Sequence, residues 1–241
     1  ERLETAKKGI IDTMGPGAGA RVHAFTVDVR DSRSVERLFE QIDAELGAID
    51  VLVNNAAGNF VAPTERLSAK AFDVILAIVL HGTAYCSLEA GKRWIASQRK
   101  GAILNIGTTY ADSGSPYVVP SATAKAGVIS LTRSLAAEWG KYAIRVNAVA
   151  PGPFPTEGAW SRLIPNAEIE QELIARIPLG RTGRHGELAD LAAYLVSDAA
   201  SYVTGSVYTI DGGEKAFNSG EFSLLDRLSD ADWDAMERKS R

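Results

Sequence analysis

The chain has 241 residues, 46% of them hydrophobic and 23% charged, with a net charge of −4 at pH 7. That length and apolar content suffice for a substantial core in one domain. With no basic excess, nucleic acid and anionic lipid are excluded as main partners, and any phosphate-bearing ligand must be met by local residues. The single cysteine, Cys86, forbids an internal disulfide and reads as packing within an apolar helix pattern, which fits a reducing compartment. No run of ~18 uninterrupted apolar residues and no basic-then-apolar leader occurs, so neither a membrane span nor a secretory signal is expected. The cytoplasm is the simplest address for a bacterial protein, and an organellar signal would lie upstream of Glu1.

The chain opens without Met, and Glu1 to Ile11 reads as mid-helix. A dinucleotide fold begins with a strand, a glycine-rich turn and a helix, so roughly 30 to 45 further residues are expected upstream. Gly15-Pro16-Gly17-Ala18-Gly19 does not replace that turn, because a helix precedes it and a strand is expected after it. Val22 to Val27 carries the β-branched and aromatic residues of a strand, leading into Asp28-Val29-Arg30-Asp31. A helix follows with Val35, Leu38, Phe39, Ile42 and Leu46 on one face, Asp31 or Ser32 as N-cap and Gly47 past its end. Ile49 to Val53 is a buried strand that runs into Asn54-Asn55-Ala56-Ala57-Gly58-Asn59-Phe60, and it is expected to form a right-handed parallel crossover with the preceding strand.

Ser68 to about Gln98 reads as a helix with Ser68 as N-cap, Ala102 to Ile106 as a strand, and Ser121 to Glu138 as a helix with Ser121 at N-cap or N1. Ile144 to Val149 is a further strand, and Ala150 to Gly158 is too rich in proline for helix or central strand. Helices over Ala167 to Arg176 and Glu187 to Ser197, a last strand over Ser206 to Ile210, an Asp211-Gly212-Gly213 turn and a charged terminal helix from Ser229 complete the chain. Five parallel strands with helices between them define an α/β, doubly wound, Rossmann-type single domain spanning residues 1 to 241, lacking its first strand and glycine-rich turn.

In such a sheet the loops at the carboxyl ends of strands face the ligand crevice. They offer Asp28, then Asn54 to Gly58, then Thr108, Thr109, Tyr110, Ser113 and Ser115, then Pro151-Gly152-Pro153-Phe154. Small residues at Ala56, Ala57 and Gly58 permit close backbone approach to a flat ligand, while the asparagines also suit turn-making. Lys125 lies one helical turn after Ser121 on the same face, either over a ligand or solvated in a first turn.

The spacing of strand, hydroxyl-rich loop, Ser121-Ala122-Thr123-Ala124 and Lys125 resembles the short-chain dehydrogenase/reductase family, with Ser121 where the family's Tyr-x-x-x-Lys pair has its tyrosine. Tyr110-Ala111-Asp112-Ser113-Gly114-Ser115 and the stretch from Val118 to Gly127 are similar to the 2,4-dienoyl-CoA reductase branch, in which the tyrosine sits in the upstream loop. The resemblance implies that Tyr110 and Asn59 bind a thioester carbonyl, with Ser121 and Lys125 completing the catalytic set and Lys125 on the nicotinamide ribose. It further implies that Asp28 and Val29 flank the adenine, that Asn54, Asn55 and Ala56 run along the adenosine ribose, and that Thr108 and Pro151 to Phe154 meet the nicotinamide end. Arg30, Phe60, Ser68 and Arg162 correspond to contacts with an acyl-CoA. For the two arginines the residues alone favour an exposed charge or a helix-adjacent ion pair, and for Ser68 a helix cap; the resemblance reverses the preference for the arginines.

NADPH is carried over from the branch, and NADH stays open because the residues facing the adenosine 2′ group would lie upstream of Glu1. A homotetramer is implied through the helices from Phe72 to Ala96 and Ser121 to Glu138, with Val128, Leu131 and Leu135 either at that seam or in the core. The chemistry agrees with the resemblance. Hydride addition to the far end of a dienoyl thioester pushes charge onto the thioester oxygen, where Tyr and Asn donors stabilise it, and protonation at the α carbon gives a 3-enoyl-CoA. A carbonyl reductase needs an acid coupled directly to the helix lysine, for which Ser121 is poor. A reductase of another enoyl-CoA or carbonyl, and a non-catalytic dinucleotide-binding sensor or scaffold, are the alternatives. His23, His81 and His185 have no ligand-like spacing and no Gly-x-Ser-x-Gly elbow occurs, so no metal site and no hydrolase is expected.

Overall fold

A computed structural model describes residues 2–15, 17–156, 160, 164 and 166–239. Its centre is a parallel sheet of four strands in sequential order: β1 (Val51–Asn54), β2 (Gly101–Ile106), β3 (Ile144–Pro151) and β4 (Val207–Ile210). Register is continuous across it, with Leu52 beside Ile103 and Ile103 beside Val146. Nearly every residue of β2 and β3 is buried, as expected of parallel strands covered on both faces.

Alternation along the strands divides the core. On one face Ile103, Ile144 and Val146 pack with Val35 and Phe39 of helix α2 (Ser32–Leu46), Cys86, Ala90 and Trp94 of α3 (Ala69–Ala96), and Leu135 and Trp139 of α4 (Val119–Trp139). On the other face Leu104 and Val149 pack with Leu195 of α6 (His185–Val196), and Leu188 and Leu191 lie against them. The Trp94 ring fills the space over Gly101, where a Cβ would come within 2.4 Å of it, and its indole N–H donates to the Ile49 carbonyl at 2.7 Å. By length and composition α3 would span a membrane, but in this fold it lays its apolar face on the sheet and on α4.

Local signals account for several helix ends. Asp31 caps α2 by accepting from Arg33 N, Gly47 closes it in a left-handed conformation, and Ser68 caps α3 by accepting from Ala71 N. Helix α1 (Arg2–Met14) has no buried residue. Further α-helices among the described residues are α5 (Ala167–Ala175), α7 (Glu214–Ser219) and α8 (Asp230–Lys239).

Two expectations are corrected. Val22 to Val27 pairs with no strand among the described residues, so the sheet has four strands rather than five and the crossover through α2 does not form. β-propensity describes a fit to a pleated surface, and a ladder requires a neighbour; here Val27 and Val29 pack instead onto the Val35 and Phe39 cluster. Helix α4 begins at Val119 with Pro120 in its first turn, where proline's missing N–H costs nothing, so Ser121 is the third helical residue rather than the first or the cap. Of the two places open to Val128, Leu131 and Leu135, they take the core: Val128 and Leu135 are buried in two separate clusters, and Leu131 packs against the one that holds Leu135.

Candidate active site

Because the strands are parallel, the loops after Asn54, Ile106, Pro151 and Ile210 leave the sheet on one edge. Helix α4 rises from that edge and carries Ser121 and Lys125, both buried, on one face. The Lys125 ammonium donates to the carbonyl of Ile106, the last residue of β2, and forms no ion pair among the described residues. Removal from water pushes its pKa down to about 8. The solvated lysine that its sequence position also allowed is thereby set aside. Tyr110, half-buried on the loop after β2, places its hydroxyl 3.5 Å from Ser121 Oγ, so tyrosine, serine and lysine form a row along the α4 face.

The loop after β1 is fastened to the tyrosine loop by a backbone bond from Ala62 N to Tyr117 O at 2.9 Å, with Tyr117 in the left-handed region. Asn59 lies exposed on that loop, its Oδ1 accepting from Phe60 N at 2.9 Å, which leaves its amide N–H groups as donors. Phe60 packs on the cluster of Ile75, Val79, Ala124 and Val128.

Other expected contacts fall differently. The Asn54 side chain is buried and donates to Ser87 Oγ at 3.0 Å and Asn105 Oδ1 at 2.8 Å, and Asn105 in turn donates to Thr132. That amide chain ties β1 to β2, α3 and α4, so Asn54 offers the cleft only its backbone; Asn55 and Ala56 remain exposed beside it. Asp28 and Arg30 hold each other, with Arg30 Nε and Nη2 on the two carboxylate oxygens at 2.7 to 3.1 Å, and the guanidinium keeps the Asp28 carboxyl at about 2. Val29 packs against Gly82 of α3. Ser68 serves as the α3 cap, and Arg162 lies outside the described residues.

Thr108 is half-buried where the tyrosine loop leaves β2. After β3, Gly152 donates to Ile210 O at 3.0 Å, and a Cβ there would come within 2.6 Å of Asp211, so this bend requires glycine. Pro153 O accepts from Gly183 N at 3.0 Å, and the Phe154 ring lies on Gly183. A buried ammonium with one protein acceptor suits a ribose hydroxyl, and a glycine bend at the same edge of the sheet suits a flat amide, the nicotinamide end of a dinucleotide.

A cleft of about 500 Å³ opens between the tyrosine loop and α7, lined by Tyr110, Ser113, Ser115, Arg176, Glu214 and Asn218 among others. Lys215 of α7 reaches across to Asp112 at 2.6 Å, and Arg176 Nε donates to Asn218 Oδ1 at 2.9 Å. Sequence reasoning passed over these α7 residues. They follow an Asp-Gly-Gly turn but belong to no motif, and only the fold carries them to Tyr110.

The enoyl-(acyl carrier protein) reductase family model matches residues 3–215. A probable 2,4-dienoyl-CoA reductase 3, (3E)-enoyl-CoA-producing, of Caenorhabditis elegans is 43% identical over 91% of this chain and 71% of its own length. A probable 2,4-dienoyl-CoA reductase of Bacillus subtilis, (2E)-enoyl-CoA-producing, is 43% identical over 89% of this chain and 83% of its own. A crystal structure of a short chain dehydrogenase from Bacillus anthracis superposes with a TM-score of 0.78 at 44% identity, covering 88% of this chain and 81% of that one. Fold and site define an α/β oxidoreductase that binds a nicotinamide dinucleotide. The chain belongs to the short-chain dehydrogenase/reductase family.

Proposed function

We propose that this chain reduces 2,4-dienoyl-CoA thioesters to 3-enoyl-CoA with NADPH, acting as a homotetramer assembled through α3 and α4. The observation that carries the reading is the origin of the phenol: Tyr110 arrives from the loop after β2, 3.5 Å from Ser121, instead of standing on α4 one turn before Lys125. In this reading the Tyr110 phenol and the Asn59 amide donate to one carbonyl oxygen, and the Ala62–Tyr117 bond between their loops supports it. The bound nicotinamide supplies hydride. As charge develops on the thioester oxygen, Tyr110 O–H and Asn59 N–H bind it more strongly than they bind the ground-state carbonyl, which is the differential interaction that lowers a barrier. Lys125 anchors the nicotinamide ribose and contributes positive charge from a dry position. Arg30 and Arg162 are assigned to the phosphates of the carrier.

The competing activity, reduction of a simple carbonyl, requires proton transfer to an alkoxide from an acid coupled to Lys125, and Ser121 at that position is too weak an acid. The direct test follows NADPH absorbance with 2,4-hexadienoyl-CoA, with carbonyl substrates and with neither. Consumption with the dienoyl thioester alone supports the reading. Consumption only with carbonyls replaces it, and none with either favours a dinucleotide-binding sensor.

A further inference from the structure

The reaction proposed above leaves one proton without a source. Tyr110 and Asn59 donate to oxygen and Lys125 is bound to the Ile106 carbonyl, yet a new C–H bond must form at the α carbon. The two similar reductases also differ in product, (3E)-enoyl in one and (2E)-enoyl in the other, and which carbon receives the proton decides between those outcomes.

Resting on that reading, we infer that Glu214 is the acid that protonates the α carbon. Glu214 is the first residue of α7 and lines the same cleft as Tyr110. Its Oε2 lies over Gly152 in the nicotinamide-end turn, 3.3 Å from where a Cβ would stand there. The carboxylate is thus placed between the bend that would hold the reacting ring and the cleft reached by the phenol. A carbonyl oxygen bound to Tyr110 keeps its α carbon within two bonds, inside this cleft. The neighbouring Lys215 is pinned to Asp112 on the tyrosine loop, which fixes the start of α7 against that loop. The charged groups that act on Glu214 are Arg176, which favours its ionised form, and Asp211, which opposes it, while the Lys215 cation is already paired. Burial outweighs both and raises its pKa, so Glu214 retains a proton to higher pH than an exposed glutamate would.

The step balances. Hydride addition at C5 leaves a dienolate, O–C1=C2–C3=C4. The electron pair on oxygen re-forms the C1 carbonyl, the C1=C2 pair takes the proton from Glu214, and the C3=C4 bond remains as the 3-enoyl product. The carboxylate left behind recovers its proton from water through the open side of the cleft.

The test compares wild type, Glu214→Gln and Glu214→Asp with 2,4-hexadienoyl-CoA and NADPH, reading kcat, KM and the 3-enoyl to 2-enoyl ratio from pH 5 to 9. The expected result is a kcat lowered tenfold or more in Glu214→Gln with KM within about threefold. The wild-type fall in kcat with rising pH should disappear in the glutamine variant, Glu214→Asp should restore part of the rate, and the product should shift away from 3-enoyl. Carboxyl ¹³C NMR of the ligand-free protein, in which the glutamine variant lacks one high-titrating resonance, checks the group independently of turnover. Unchanged kcat, pH profile and product in Glu214→Gln would overturn the inference while leaving the reductase reading intact. A wild type that does not reduce the dienoyl thioester removes the reading and the inference together.

Discussion

The Tyr110 hydroxyl lies 3.5 Å from Ser121 Oγ, joining the loop after β2 to the face of α4 that carries Lys125. The serine that replaces a helix tyrosine is therefore a neighbour of the phenol and not its substitute. Tyr110→Phe is expected to lower kcat by roughly two orders of magnitude, as loss of one oxyanion donor typically does, with NADPH affinity nearly unchanged. Stopped-flow turnover alongside fluorescence titration of NADPH checks both halves, and near-normal turnover in the variant would overturn the assignment.

Lys125 gives a stability prediction with a definite sign. Its folded pKa of about 8 lies below the unfolded value of 10.5, so between those values the unfolded chain binds the extra proton. Stability then rises with pH across that window, and the cost of the buried charge is fully present below about pH 8, of the order of 3 kcal/mol. Lys125→Met should stabilise the ligand-free chain at pH 7 by about 1 to 3 kcal/mol and flatten the pH dependence, while abolishing turnover and weakening cofactor binding. Urea melts at pH 7 and pH 10 measure the first effect. A variant less stable than wild type at pH 7 contradicts it.

Asp28 and Arg30 are assigned to different ligands yet bind each other on the open surface. If each serves its ligand, Asp28→Asn releases the guanidinium: KM for the CoA ester should fall severalfold while KM for NADPH rises. Arg30→Ala should raise KM for CoA esters more than for pantetheine thioesters, which lack the distal phosphates. Neither change should move the melting temperature appreciably, because exposed ion pairs contribute little. Equal KM effects on both thioesters would reduce Arg30 to Asp28's partner.

For the tetramer, light scattering at micromolar concentration should give four times 25.7 kDa. Leu88, exposed on α3, is a suitable place to break it, and Leu88→Arg should give smaller species with the melting profile of each protomer retained. A wild-type monomer refutes the assembly outright.

What was legible in the sequence was local. Asp31, Gly47 and Ser68 mark helix ends because caps act within three or four residues, and the apolar runs of β2 and β3 mark buried strands. Val22 to Val27 misled because pairing depends on a remote neighbour that no local propensity reports. For Asn54 the sequence left the side chain's partner open: an exposed loop asparagine and a buried one are the same on paper, and only the register with Asn105 shows that it is tied into the core. Ser121, Lys125 and Tyr110 were legible through one helical turn and a recognisable loop, whereas Glu214 and Lys215 reach the same cleft from the far end of the chain.

If Asn59 and Tyr110 serve one oxygen as proposed, the Ala62–Tyr117 bond between their loops couples them. Two donors aimed at one oxygen lose much of their value if the loops that bear them drift independently, since each bond would then be formed at the expense of ordering the other. Fastened together, they behave as a single clamp, and the penalties for Asn59→Ala and Tyr110→Phe should be strongly sub-additive in a double-mutant cycle. Ala62→Pro, which deletes the N–H that joins the two loops without touching either donor, should reproduce part of that loss.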